Sequence, residues 1–194
     1  KIPFAETFGC FAARRAFDQF FLSGNYAGLN VKLLGSDPGV TAAYNGGTHM
    51  PFEDIAMMRV IPGLTIVSPS DPYALSQLIE PVAYHEGCVY LRMPRKAEQK
   101  IYQGTEKLEL GKGYVLREGS DLTIAATGFV MVPEALATAE LLEKEGINAA
   151  VIDFHTIKPI DTMLIDEWAG RTKCFVTMEN HQIFGGLGGT VAEY

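Results

Sequence analysis

The chain of 194 residues is longer than one average domain, and its 47% hydrophobic and 20% charged content suits a globular protein whose core needs no disulfide or metal staple. A formal net charge of −7 and a sequence pI near 5.1 argue against a basic nucleic-acid-binding face. No apolar run approaches the roughly 18 residues of a membrane span, no signal-peptide pattern opens the chain, and Cys10, Cys88 and Cys174, odd in number and without C-x-x-C spacing, read as reduced core residues of a cytoplasmic protein.

In chain order, apolar residues at Phe8, Phe11, Ala12, Phe17, Phe20 and Phe21 predict a helix over 7–22, closed by Gly24 and Asn25. A short apolar strand follows at 30–35, then a glycine-rich loop. A helix is expected over 51–60, with Pro51 near its start and Pro62-Gly63 after it. The β-branched run 64–70 predicts a strand. The segment 71–86 predicts a helix with Asp71 as cap and Pro72 at its first position. Residues 88–92 predict another strand. The polar, weakly periodic stretch that follows reads as a linker, with a strand near Tyr114. A second alternating series then predicts strands at 121–128, 147–154 and 174–180. Its helices are expected at 132–146, at 160–170 with Asp161 as cap, and from 185 onward after a glycine-rich turn. Strands that are continuous apolar runs between helices predict α/β architecture with parallel sheets covered on both faces. Functional loops in such folds lie at the carboxyl ends of strands. The chain opens on Lys1 and closes on "GTVAEY" within a helical pattern, so both ends are expected to be cuts in a longer sequence.

Four segments carry candidate chemistry. In "GGTH", Gly46 and Gly47 permit turns closed to other residues and place His49 at a strand's exit, although spacing fits an ordinary surface loop equally well. Phe8 and Phe11, at i and i+3, would share one helix face, either as plain core or as a stacking surface for a flat ligand. In "YLRMPR", Arg92 and Arg95 leave a strand as a surface pair or as a grip on an anion. "ENHQIFGGLGG" lacks the Lys-Ser/Thr ending of a phosphate loop and reads as tight strand-to-helix packing, and His155 reads as a turn or interface residue. No metal-ligand spacing appears.

Taken together, "IPFAETFGCFAARRAFDQF", "GVTAAYNGGTHMPFEDIAMMRVIPGLTIVSPSD", "YLRMPR", "HTIKPID" and "MENHQIFGGLGG" resemble the C-terminal half of transketolases, most closely the split type in which that half is a separate subunit. The resemblance implies two three-layer α/β/α domains: a pyrimidine-binding domain with a parallel sheet over 1–95, a linker over 96–113, and a transketolase C-terminal domain with a mostly parallel sheet over 114–194. Both domains are expected to be incomplete at the chain ends. It implies thiamine diphosphate as cofactor, with Mg²⁺ or Ca²⁺ held by a partner chain that carries the pyrophosphate-binding domain, and self-association into a dimer of heterodimers. The reaction implied is transfer of a two-carbon ketol unit from a ketose or its phosphate to an aldose. Alternatives are a 1-deoxyxylulose-phosphate synthase, a 2-oxo-acid dehydrogenase β-type subunit, or a non-catalytic assembly subunit.

By position, Phe8, Phe11 and Arg14 match the family's residues around the aminopyrimidine ring. His49 matches the donor-contacting histidine, its turn fixed by a helix starting at Pro51, and Arg95 matches the substrate-phosphate arginine. Three departures stand out. Arg14 stands where the family often has tyrosine. Asp37 stands in place of a second loop histidine. Asn45 replaces a loop aspartate, keeping hydrogen-bonding capacity but losing charge. The family's glutamate that bonds the pyrimidine N1′ lies upstream of Lys1, and Glu6 is in the wrong place to replace it.

Overall fold

The computed structural model describes residues 1–96 and 99–194. Among these residues the strands are β1 (Phe4–Phe8), β2 (Lys32–Ser36), β3 (Thr65–Val67), β4 (Val89–Met93), β5 (Tyr114–Arg117), β6 (Leu122–Ala126), β7 (Ala149–Asp153), β8 (Thr156–Lys158) and β9 (Cys174–Met178). The α-helices are α1 (Phe17–Gln19), α2 (Asp54–Arg59), α3 (Pro72–Tyr84), α4 (Gly128–Lys144), α5 (Thr162–Arg171) and α6 (Leu187–Glu193). The short α1 joins two π-helical stretches, Phe11–Arg15 and Phe20–Tyr26, into one amino-terminal helical run.

Two sheets form, ordered β1-β2-β4-β3-β8 and β5-β7-β6-β9. In the first, β1, β2, β4 and β3 are parallel. In the second, β7, β6 and β9 are parallel and β5 is antiparallel. Each sheet is covered on both faces, giving two three-layer units. Alternate residues of one strand face opposite layers. Ile66 and Tyr90 therefore pack with Ala12, Ala13, Phe20, Ile55 and Met58 on one side, while Val67, Val89 and Leu91 pack with Ala74, Leu78 and Val82 of α3 on the other. In the second unit Ile124 and Val151 meet Val132, Ala135 and Ala139 of α4, while Ala125 and Ile152 meet Ile165, Trp168 and Leu187.

Asp71 and Asp161 cap α3 and α5 as expected, accepting from the backbone N–H groups of Ala74 and Leu164 at 2.7 and 3.2 Å. Several expectations are corrected. Thr7 and Phe8 lie in β1, not in a helix, because β1 pairs with β2 and residues 4–8 stand opposite 32–36. The first helical run reaches Tyr26, past Gly24 and Asn25. Helix α2 begins at Asp54, not at Pro51, and α4 begins at Gly128, four residues ahead of the expected start. Cys10 and Cys88 are buried, but Cys174 is exposed at the start of the edge strand β9.

Strand β8 was not expected. It leaves the second half of the chain and joins the first sheet antiparallel to β3, so the two units share backbone pairing. Lys158 Nζ donates to the carbonyls of Arg59 and Ile61 at 2.7 and 2.5 Å, and the Ser68 N–H donates to the His155 carbonyl at 2.8 Å. The polar stretch between the units is also anchored. Tyr102 and Leu108 are buried against α3, and the Asp71 carboxylate accepts from the N–H groups of Ile101 and Tyr102.

The junction buries a polar cluster in which Asp153 Oδ2 accepts from Ser70 Oγ at 2.5 Å and from Tyr102 OH at 2.7 Å. Burial pushes the Asp153 carboxyl up to about 7, and burial pulls the neighbouring-in-sequence His155 imidazole down to about 4. The signs oppose. Asp153 contributes stability that is present below its unfolded value and is lost as pH rises toward 7, whereas His155 contributes stability that is lost as pH falls from 6.5 toward 4. In wild type the two slopes offset one another between about pH 4 and 6.5. Asp153→Asn should leave the His155 slope alone, so that urea midpoints rise with pH across that window. Midpoints that stay as flat as those of wild type would contradict the assignment.

Candidate functional site

The site forms where β1, β2 and β4 of the first sheet end. β1 delivers Phe8, and the chain passes directly at Gly9 into the helical run that carries Phe11. Gly9 allows this approach because a Cβ there would lie 3.0 Å from the Pro51 ring. The two phenyl rings therefore come from a strand end and a helix start, not from one helix face. They meet edge to face with centroids 6.1 Å apart.

His49 completes the corner. Its ring lies 5.0 Å from Phe8 and 5.2 Å from Phe11, edge to face with both. The glycine pair works differently from the expected helix start. After the 3₁₀ segment Gly39–Asn45, Gly46 takes a positive φ of 79°, and a second 3₁₀ turn, Gly47–His49, presents the imidazole. The His49 N–H closes this turn on the Gly46 carbonyl at 3.0 Å, and Thr48 Oγ1 lies 2.9 Å from His49 Nδ1. A threonine proton given to Nδ1 would leave the Nε2–H as a donor, whereas a threonine accepting from Nδ1–H leaves Nε2 as an acceptor.

Arg95, which leaves β4, links this corner to the other candidates. Its guanidinium lies 4.9 Å from the Phe8 centroid, forms an ion pair with Asp37, and donates through Nη2 to Asn45 Oδ1 at 2.9 Å. Asp37 sits at the exit of β2 with φ 55°, a conformation that aspartate tolerates better than most residues. Thus Phe8, Phe11, Asp37, Asn45, His49 and Arg95, spread over 88 positions between Phe8 and Arg95 inclusive, are brought together. A cleft of about 700 Å³ opens beside two of them, Asp37 and Arg95, and is walled also by Thr41, Tyr44 and, from the second unit, Phe129 and Glu134.

Arg14 stands apart from the ring corner's centre. It pairs with Glu53, whose hydrogen bond is the main cause raising the Arg14 guanidinium above its ordinary range. The neighbouring Arg15 lies 5.1 Å from the Phe11 centroid, so both rings carry an arginine over them.

Arg92 overturns its expectation as a surface group. It is 2% exposed, and it donates to Asp54 through Nε at 2.8 Å and Nη2 at 3.2 Å. Tyr90 OH donates to the same carboxylate at 2.9 Å. Burial, with the Asp54 charge second, holds the Tyr90 phenol well above its usual range and keeps it a donor. Arg92 Nη2 also donates to the Asn180 carbonyl at 2.6 Å. The Asn180 side chain accepts from the Val40 N–H at 3.1 Å and donates to the Pro38 carbonyl at 2.9 Å. This chain of contacts clamps the 38–49 loop between the units, and it was missed from sequence. The available signal was a charged residue inside the apolar run "VYLRM", which in a covered strand requires a buried counter-charge.

"ENHQIFGGLGG" packs tightly, as expected. The Glu179 carboxylate accepts from the N–H groups of Leu187 and Gly188 at 2.5 and 2.7 Å and so caps α6. His155 is fully buried at the junction. Among the described residues, no group of three or more histidine, cysteine or acidic side chains is arranged to hold a metal ion.

Residues 1–100 match the family model described as the transketolase pyrimidine binding domain, and residues 111–194 match that of the transketolase C-terminal domain. The chain is 48% identical to a 6-deoxy-6-sulfo-D-fructose transketolase subunit of Clostridium sp. (strain MSTE9), covering 100% of this chain and 60% of that protein. It is 44% identical to a putative transketolase C-terminal section of Methanocaldococcus jannaschii, again covering 100% and 60%. A solved structure described as a split gene transketolase, inactive beta4 tetramer, superposes with a TM-score of 0.91 at 41% identity, covering 100% of this chain and 62% of that one. The chain spans about 60% of the length of the curated relatives it matches.

Proposed function

The chain belongs to the transketolase family, and from that premise we propose that it supplies the pyrimidine side of a split, thiamine-diphosphate-dependent transketolase that moves a two-carbon ketol unit from a ketose, free or phosphorylated, to an aldose. The observation that carries this reading is the ring corner of Phe8, Phe11 and His49, joined through Arg95 to a cleft of mixed polar and apolar lining.

The residues present fit one end of the cofactor. Phe8 and Phe11 are half-buried, so the ring corner keeps some accessible aromatic surface for a flat heterocycle. Bound there, thiamine diphosphate supplies a carbon nucleophile and an electron sink for the two-carbon fragment. In this chain Phe8 and Phe11 hold the aminopyrimidine ring and exclude water from its face. His49 hydrogen-bonds donor hydroxyls beside the reacting carbons. Asn45 orients a further hydroxyl, and Arg95 meets the distal end of the sugar. Arg14, matched to the ring site by position, is taken up by its pair with Glu53.

The diphosphate and its Mg²⁺ or Ca²⁺ belong in this reading to a pyrophosphate-domain partner chain, as does activity itself. The inactive β4 assembly of the similar split-gene structure supports both a need for the partner and a tendency of such chains to self-associate, here into a dimer of heterodimers. Boundaries near 95 and 114 suit the two functional units, and the cytoplasm is the compartment proposed. Among the described residues no helix is long and apolar enough to cross a membrane.

The test is reconstitution with the pyrophosphate-domain partner and calorimetric titration of thiamine diphosphate with Mg²⁺. Tight binding is expected only when both chains are present, and Phe8→Ala with Phe11→Ala should weaken it at least about tenfold. Turnover of hydroxypyruvate or ketose donors, without turnover of pyruvate, is the expected donor pattern. Pyruvate as sole donor would turn the assignment toward a deoxyxylulose-phosphate-type reaction, and cofactor binding indifferent to both phenylalanines would sink the site.

A further inference from the structure

Arg95 is not presented to the cleft as an isolated cation. Its Nε side is turned to Asp37, and Nη2 donates to Asn45. Asp37 is 3% exposed. Its Oδ1 accepts from the Arg95 N–H at 3.3 Å, while Oδ2 lies against the guanidinium as an ion pair without a hydrogen bond of its own. Asp37 lines the cleft beside Arg95, with Oδ2 shielded from solvent against the guanidinium. Among the described residues, the charged groups on the cleft wall are Asp37, Glu134, Arg95 and Lys96, two of each sign.

Charge matching follows from this arrangement. A phosphate monoester carries about −1.5 to −2 at neutral pH. At Arg95 it would have to compete with a carboxylate already paired to the same guanidinium, and it would face that carboxylate at close range in a partly covered site. A singly charged group or a hydroxyl needs less compensation there and meets less repulsion from the Asp37 charge. Asp37 cannot readily swing away, because its backbone N–H is bonded to the Met93 carbonyl at 2.9 Å and its side chain is enclosed.

We propose that Asp37 is a specificity-determining residue that tunes the Arg95 subsite to ketoses whose distal end is a monoanion or a hydroxyl, at the expense of phosphate esters. This rests on the transketolase reading above, and it names the substrate class of the same site.

The test uses the enzyme reconstituted with its pyrophosphate-domain partner. Its probes are three ketoses differing only at carbon 6: fructose, fructose 6-phosphate and 6-deoxy-6-sulfofructose. Wild type should show higher kcat/KM for the sulfonate than for the phosphate. Asp37→Asn, which keeps shape and tolerates the positive φ, should raise the phosphate-to-sulfonate ratio of kcat/KM about tenfold. Asp37→Gly serves as a second neutral variant suited to that backbone. A wild type that favours phosphate tenfold, or neutral variants that leave the ratio unchanged, would overturn the proposal. If no ketose is turned over, the transketolase reading fails instead. Calorimetric binding of the same three sugars then still decides the charge-matching role, by whether the neutral variants bind the phosphate more tightly than wild type or no better.

Discussion

Replacing Asp54 by alanine is expected to lower the unfolding free energy by about 3–5 kcal/mol, because it strips a buried guanidinium of its counter-charge. Arg92 and Asp54 have side chains 1% and 0% exposed, and Asp54 accepts three bonds from Arg92 and Tyr90. Without the carboxylate, Arg92 would keep its bond to the Asn180 carbonyl and little else to balance its charge. Urea unfolding of the chain measures the loss directly. The double replacement Asp54→Ala with Arg92→Met should recover much of it, since removing both charges costs less than orphaning one. The single variant should also loosen the 38–49 loop, because Asn180, held by Arg92, bonds Pro38 and Val40. Proteolytic cleavage within that loop should therefore quicken. A single variant as stable as wild type would mean that the pair is not the keystone of this junction.

His49→Ala is expected to cut kcat of the reconstituted enzyme by about a hundredfold, in the range usual for a lost polar group at reacting atoms. Thiamine diphosphate affinity should shift by no more than about threefold, because the proposed site holds the ring through Phe8 and Phe11. The imidazole packs edge to face against both phenyl rings, so the alanine variant also loses packing. His49→Asn controls for this. It restores a donor and an acceptor, and partial recovery of kcat would assign the loss to hydrogen bonding. Equal falls in turnover and cofactor affinity would instead make His49 a third wall of the ring site.

Much of the fold is legible along the chain because its determinants are local. Covered parallel strands are short, mostly apolar runs, as at 65–67, 89–93, 122–126 and 149–153. Asp71 and Asp161 announce their helices because a carboxylate one residue ahead of a helix satisfies orphan N–H groups. Periodicity failed at Thr7 and Phe8. Phe8 and Phe11 suit one helix face by spacing, but pairing of residues 4–8 with 32–36 drew Thr7 and Phe8 into an edge strand. Strand β8 was illegible for the same reason: three residues have no periodic signature, and only β3 lying alongside makes them a strand.

The sequence by itself determined the alternation of strands and helices and, through its motifs, the family and the candidate residues Phe8, Phe11, Asp37, Asn45, His49 and Arg95. Only the tertiary structure decided that Arg92 is buried against Asp54 while Arg95, three residues on, faces a cleft with Asp37 at its side. Strand alternation places neighbouring side chains on opposite faces but does not say what waits there. The charge that meets an arginine comes from residues 38 and 58 positions away, and only chain packing sets that distance.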